Sequence, residues 1–108
     1  MMAVYVDHAR NRYGRMKMSH MIADSVDELL EMADRIGLDR RHFQPGSHPH
    51  FDVSEGYRKR AIQAGTRPVD RHCLVALMRK YRQRLSEDPA EREALARASA
   101  FCDRGHSR

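Results

Sequence analysis

The segment from Ser25 to Gly37 constrains the fold of this chain most. Ser25 is followed three residues on by Glu28, the reciprocal pair that satisfies free amides at a helix start. Asp24 and Asp27 add negative charge at the positive end of the helix dipole. Val26, Leu29, Leu30, Ala33 and Ile36 recur at helical spacing, and Gly37 supplies the residue that turns left-handed and stops the helix. A helix with one apolar stripe needs an apolar surface to lie on, and short strands elsewhere in the chain have to provide it.

Ala3-Val4-Tyr5-Val6 is apolar throughout and ends at Asp7, the pattern of a strand covered on both faces. His8 to Ser19 reads as a loop, although the alternation of Met16, Met18, His20 and Ile22 with Lys17, Ser19 and Met21 predicts a second short strand. Arg40 to Gln44 reads as another, Pro45-Gly46-Ser47-His48-Pro49 as a turn, and His50-Phe51-Asp52-Val53 as an alternating strand. Ser54 caps a second helix that runs through Tyr57, Ala61 and Ile62 to Gly65, and Thr66 to Val69 is a connector or brief strand. Asp70 caps the longest helix, with Leu74, Leu77, Met78, Tyr81 and Leu85 on one stripe. Asp88-Pro89 opens a fourth with a thin stripe of Ala94, Leu95, Ala98, Phe101 and Cys102, and the last six residues are expected to fray. These elements imply α/β or α+β architecture, a small sheet of short strands packed against about four helices. Residues 1–85 would form the core domain and 86–108 a C-terminal helical extension. With no tryptophan, four Tyr and three Phe in 108 residues, core volume must come from aliphatic side chains and Met.

No apolar run approaches the ~20 residues of a membrane span, and the apolar opening is too short for a signal-peptide core, so a cytoplasmic protein with no membrane partner is expected. Cys73 and Cys102 have no CxxC or CxxH spacing and read as two buried thiols. The net charge of +5 is uneven, with −4 over residues 21–54 and +7 over 55–85. Such a concentration attracts phosphate-bearing ligands, polyanions or acidic partners, or simply forms a solvated face.

Several separated motifs occur in order: Val4-Tyr5-Val6-Asp7 with Arg10, Gly14-Arg15-Met16, Met18-Ser19-His20-Met21-Ile22-Ala23-Asp24, Met32-Ala33-Asp34-Arg35-Ile36-Gly37, His50-Phe51-Asp52-Val53-Ser54 and Lys59-Arg60-Ala61. Together they resemble a small prokaryotic and phage family catalogued only as a domain of unknown function, over roughly residues 2 to 80. Members of that family usually carry two acidic residues after the opening strand, whereas here Asp7 is followed by His8. The resemblance implies a domain boundary and a choice of residues, and no activity.

The residues themselves suggest a site. A carboxylate at the carboxyl end of a buried strand, as at Asp7, is where open sheets place ligand-binding groups, or it bonds loop amides and nearby arginines. His20 and Asp24, four apart, would share a face if their segment were helical, and His50 and Asp52, two apart, would share a face on a strand. If Asp7, His20, His50 and Asp52 converge, they supply acid–base groups or a cation site. Arg15, Lys59 and Arg60 are the candidate phosphate contacts, with Lys59 the first choice in Arg58-Lys59-Arg60. The absence of GxxxxGK[ST] and GxGxxG excludes a P-loop or dinucleotide motif, and no HExxH, Cys/His finger or EF-hand spacing identifies a metal or cofactor. The reading is a domain that binds, or hydrolyses, a phosphate-bearing ligand such as a nucleotide or nucleic-acid end. The alternative is a phage or host interaction protein whose basic third helix, with Arg79, Lys80, Arg82 and Arg84, docks on an acidic protein or DNA. A homodimer through the C-terminal helix would suit its thin stripe.

Overall fold

The computed structural model describes residues 3–8, 11–13, 16–45 and 48–106, with the side chains of 11–13, 16 and 101–106 excepted. Arg15 therefore lies outside the described residues. The strands are β1 (Val4–Val6), β2 (Asn11–Tyr13), β3 (Met16–Ala23), β4 (Phe51–Ser54) and β5 (Arg67–Pro68), and the helices are α1 (Val26–Ile36), α2 (Glu55–Gln63), α3 (Arg71–Glu87) and α4 (Pro89–His106). The architecture is α+β, with a mixed sheet in which β3 is antiparallel to β1, β2 and β4, and β5 is parallel to β1.

The long strand β3 organises the sheet. Met18 is paired at once with Asn11 and Ser54, and Met21 with Val6 and Phe51, so β4 takes one edge of β3 while β1 and β2 share the other. Cross-strand partners lie on one face. Val4, Val6, Ser19, Met21, Ala23, Phe51 and Val53 thus face one way, all buried, and the α1 residues Val26, Leu29, Met32, Ala33 and Ile36 pack with them. Ala61 of α2 joins the same cluster. The opposite face carries Tyr5, His20, Ile22 and Asp52. There Ile22 meets Met78 and Tyr81 of α3 and the turn residues His48 and Pro49 around a cavity of about 10 Å³, no larger than a single water needs.

Local chemistry sets the helix ends. The Ser25 hydroxyl accepts the Glu28 amide at 3.2 Å, and Gly37 ends α1 at φ 79°. Ser54 caps α2 and Asp70 caps α3 through the amides of Tyr57 and Cys73. Three segments depart from the sequence expectation. Asn11–Tyr13 is a strand inside the expected loop, because β3 offers it an open edge. Arg40 to His42 forms a 3₁₀ turn capped by Asp39, leaving only an isolated bridge between Gln44 and His50. The α4 backbone stays helical to His106, past the point where fraying was expected.

Two residues of the α4 stripe, Ala94 and Ala98, are buried in the same core as α1, and Leu95 packs against it; the side chain of Phe101 lies outside the described residues. Between the two alanines and α3 lies Glu91, 5 % exposed, whose Oε2 accepts the Val26 amide at 2.8 Å and the Tyr81 hydroxyl at 2.7 Å. Arg84 stands 3.7 Å from the other oxygen and donates to the Asp24 carbonyl. One side chain of α4 thus closes the first amide of α1. Cys73 is exposed rather than buried, since the inward stripe of α3 runs through Leu74 and Tyr81. The Cys102 side chain lies outside the described residues.

Two outcomes follow from Glu91. Glu91→Ala leaves a buried amide and a buried hydroxyl without their acceptor and should cost about 2–3 kcal/mol in urea unfolding, whereas Glu91→Gln, which keeps one acceptor oxygen, should cost less. Burial first, then the hydrogen bond and charge of Glu91, push the Tyr81 hydroxyl far above the ordinary tyrosine range. Its unfolded counterpart ionises near pH 10, so this contribution to stability is complete below about pH 10 and falls as the pH rises beyond it. Tyr81→Phe should flatten that alkaline decline in denaturation midpoints.

Candidate functional site

Asp7 is the residue at which β1 leaves the sheet. Continuing the register past Val6 and Met21 would set Asp7 opposite His20 and have the two exchange both backbone bonds. One bond forms, from the Asp7 amide to the His20 carbonyl at 3.1 Å. The other is replaced, because the Asp7 carbonyl turns to Arg58 Nε at 3.0 Å and the His20 amide donates to Asp7 Oδ1 at 2.8 Å instead. The carboxylate is thereby fixed below the sheet edge, its side chain 3 % exposed.

The second oxygen of Asp7 lies 3.1 Å from His20 Nδ1. With the carboxylate ionised, Nδ1 must donate, and Nε2 of the neutral ring is left as a bare lone pair. That nitrogen faces Asp52 Oδ1 at 3.7 Å, since His20 and Asp52 are cross-strand partners. His50 approaches the same oxygen with Nε2 at 3.5 Å. Its Nδ1 stands 2.7 Å from the His48 carbonyl, which can only accept, so His50 too carries its proton on Nδ1. Gln44 Nε2 donates to Asp52 Oδ2 at 2.7 Å and holds the carboxylate in place. The two imidazoles meet edge to face with centroids 5.6 Å apart. Both are partly open, the side chains of His20 and His50 being 29 % and 21 % exposed.

The structure therefore brings Asp7, His20, Asp52 and His50 into one row. Of the four, only Asp7 is fully buried. The segment from Gln44 to His50 closes on itself through two backbone bonds, Gln44 amide to His50 carbonyl at 2.9 Å and the reverse at 3.1 Å, and so delivers Gln44 and His50 to Asp52 together. Among the described residues, no group of three or more His, Cys, Asp or Glu side chains is placed to hold a metal ion.

Among the described residues, the cation found against this row is Arg58, between the Asp7 carbonyl and His8 Nδ1, which its NH2 approaches to 2.6 Å. It sits three and four residues before Ala61 and Ile62, the inward side of α2, and that spacing is the signal by which it could have been chosen. Lys59 is exposed on the neighbouring side of the helix. Arg60 is directed elsewhere: NH1 donates to the Ile36 carbonyl at 3.1 Å, closing the negative end of α1, and its guanidinium lies over the Tyr57 ring. Asp24 is separated from His20 because β3 is a strand, not a helix. Its Oδ2 accepts the Ala3 amide at 2.9 Å and the Tyr5 hydroxyl at 3.3 Å, and burial together with this charge raises the Tyr5 ionisation.

The chain belongs to the family described as a protein of unknown function (DUF4031), whose profile matches residues 4–81. That span holds Asp7, His20, Gln44, His50, Asp52 and Arg58 and stops short of α4. No curated protein and no solved structure matches the chain. No helix among the described residues is long and apolar enough to cross a membrane.

The tautomer of His20 is directly measurable. In Asp7→Asn the amide oxygen can still take the His20 backbone bond, while the amide nitrogen, a donor, comes to face Nδ1. The neutral ring should then move its proton from Nδ1 to Nε2, and imidazole nitrogen shifts in NMR spectra should exchange accordingly. Unchanged shifts would mean that Asp7 does not set the ring.

Proposed function

We propose that the row Asp7–His20–Asp52–His50 is an acid–base site for a phosphate-bearing ligand, a nucleotide or a nucleic-acid end, with Arg58 and Lys59 on its cationic side. The observation that carries this reading is the expenditure of a buried carboxylate on one partly exposed ring. Asp7 fixes His20 through both the backbone and Nδ1, the arrangement by which a carboxylate orients an imidazole and stabilises it once it takes a proton.

With both Nδ1 atoms donating, the neutral rings and Asp52 present only lone pairs to one another. A single proton added to either Nε2 is drawn toward Asp52, leaving one imidazole as an acid and the other as a base. Phosphoester hydrolysis needs that pair: one ring takes a proton from the attacking water, and the other returns a proton to the leaving oxygen as the phosphorus–oxygen bond breaks. The imidazolium, Arg58 and Lys59 would offset the phosphate charge that Asp7 and Asp52 repel.

The test combines calorimetric titration with nucleoside mono-, di- and triphosphates and turnover of bis(p-nitrophenyl) phosphate. His20→Gln and His50→Gln should each lower turnover by about 100-fold or more. Arg58→Ala and Lys59→Ala should each weaken binding by roughly tenfold, the worth of one charge-assisted bond to phosphate. Binding without turnover would leave a ligand-binding site and remove the hydrolytic step. Neither binding nor turnover would end the proposal.

A further inference from the structure

A second surface stands apart from the histidine site. Arg71, Val75, Arg79 and Arg82 recur at i, i+4, i+8 and i+11 along α3, which sets them on one side of the helix. All four are exposed, Val75 to 39 %. Arg71, Arg79 and Arg82 make no hydrogen bond or ion pair with any described residue, whereas Arg84, on the inner side of the same helix, is engaged by Asp24, Asp88 and Glu91. Three cations held on one side of a rigid helix, with no ion-pair partner among the described residues, repel one another, and an ordered polyanion would relieve that repulsion.

We infer that this face of α3 binds the phosphate backbone of a duplex nucleic acid. Charge complementarity favours this occupant over an acidic protein. Protein interfaces are centred on apolar and aromatic side chains, and here the centre is one valine ringed by guanidinium groups, whereas interfaces with nucleic acid are polar and strongly positive. A single strand would want aromatic rings to stack on, and the stripe has none. From Arg71 to Arg82 the helix rises about 16 Å, a length over which a duplex presents ~10 phosphates, so the three arginines can each find a partner. Contacts of this kind carry no sequence preference.

The test is fluorescence anisotropy with a labelled duplex of mixed sequence across a series of salt concentrations. Three phosphate contacts should give a slope of about −2.7 in log K against log salt. Arg79→Ala with Arg82→Ala should weaken binding at least tenfold and bring the slope to about −0.9, while Arg79→Lys with Arg82→Lys should keep both close to the unsubstituted protein. The Arg79→Ala, Arg82→Ala protein should keep whatever phosphodiester turnover the unsubstituted protein has, so failure of either proposal leaves the other standing. No binding at about 50 mM salt, a slope indifferent to the alanine pair, or equal affinity for poly-glutamate of matched charge would overturn the inference.

Discussion

A carboxylate withdrawn from water must be answered by donors, and at Asp7 the donors are the backbone and ring of a single residue, His20. The rest of the site follows from that contact. Because Asp7 supplies with its side chain the bond that its carbonyl would have made, the carbonyl is free to receive Arg58 from α2, and the chain can leave the sheet without stranding a buried amide. Sheet, helix and site are joined at one position, and the carboxylate that closes the strand edge with one oxygen fixes the His20 ring with the other.

The two faces of β3 separate the core from the candidate site. Odd-numbered positions from Ser19 to Ala23 face the core with Phe51 and Val53, and even-numbered ones place His20 beside Asp52. A register slip of one residue would exchange the two sets, so burial of Met21 and Phe51 also keeps the histidine in place. The short closed segment from Gln44 to His50 adds the last two groups as one unit.

Elements marked by local chemistry were legible in the sequence. Ser25, Glu28 and Gly37 define α1 by capping alone, and Ser54, Asp70 and Asp88 do the same for α2, α3 and α4. Elements created by a partner were not. Asn11–Tyr13 has no strand pattern of its own and is a strand because β3 extends past β1. Within the site, the two-residue spacing of His50 and Asp52 could be read from periodicity, but the pairing of His20 with Asp52 depends on register, and the placing of Arg58 against the Asp7 carbonyl depends on the rotation of α2 about its axis. Neither quantity is local. The spacing of His20 and Asp24 misled because it has meaning only on a helix, and that stretch is a strand followed by a bend.

Glu91 touches Val26 across 65 positions of chain, from a helix beyond the span matched by the family. On a ribosome the chain emerges from its amino end, and α1 would exist for some time with its opening turn unanswered. Its final closure waits until Glu91 has been made, which ties completion of α1 to the arrival of α4 and makes two helices distant in sequence acquire their order together.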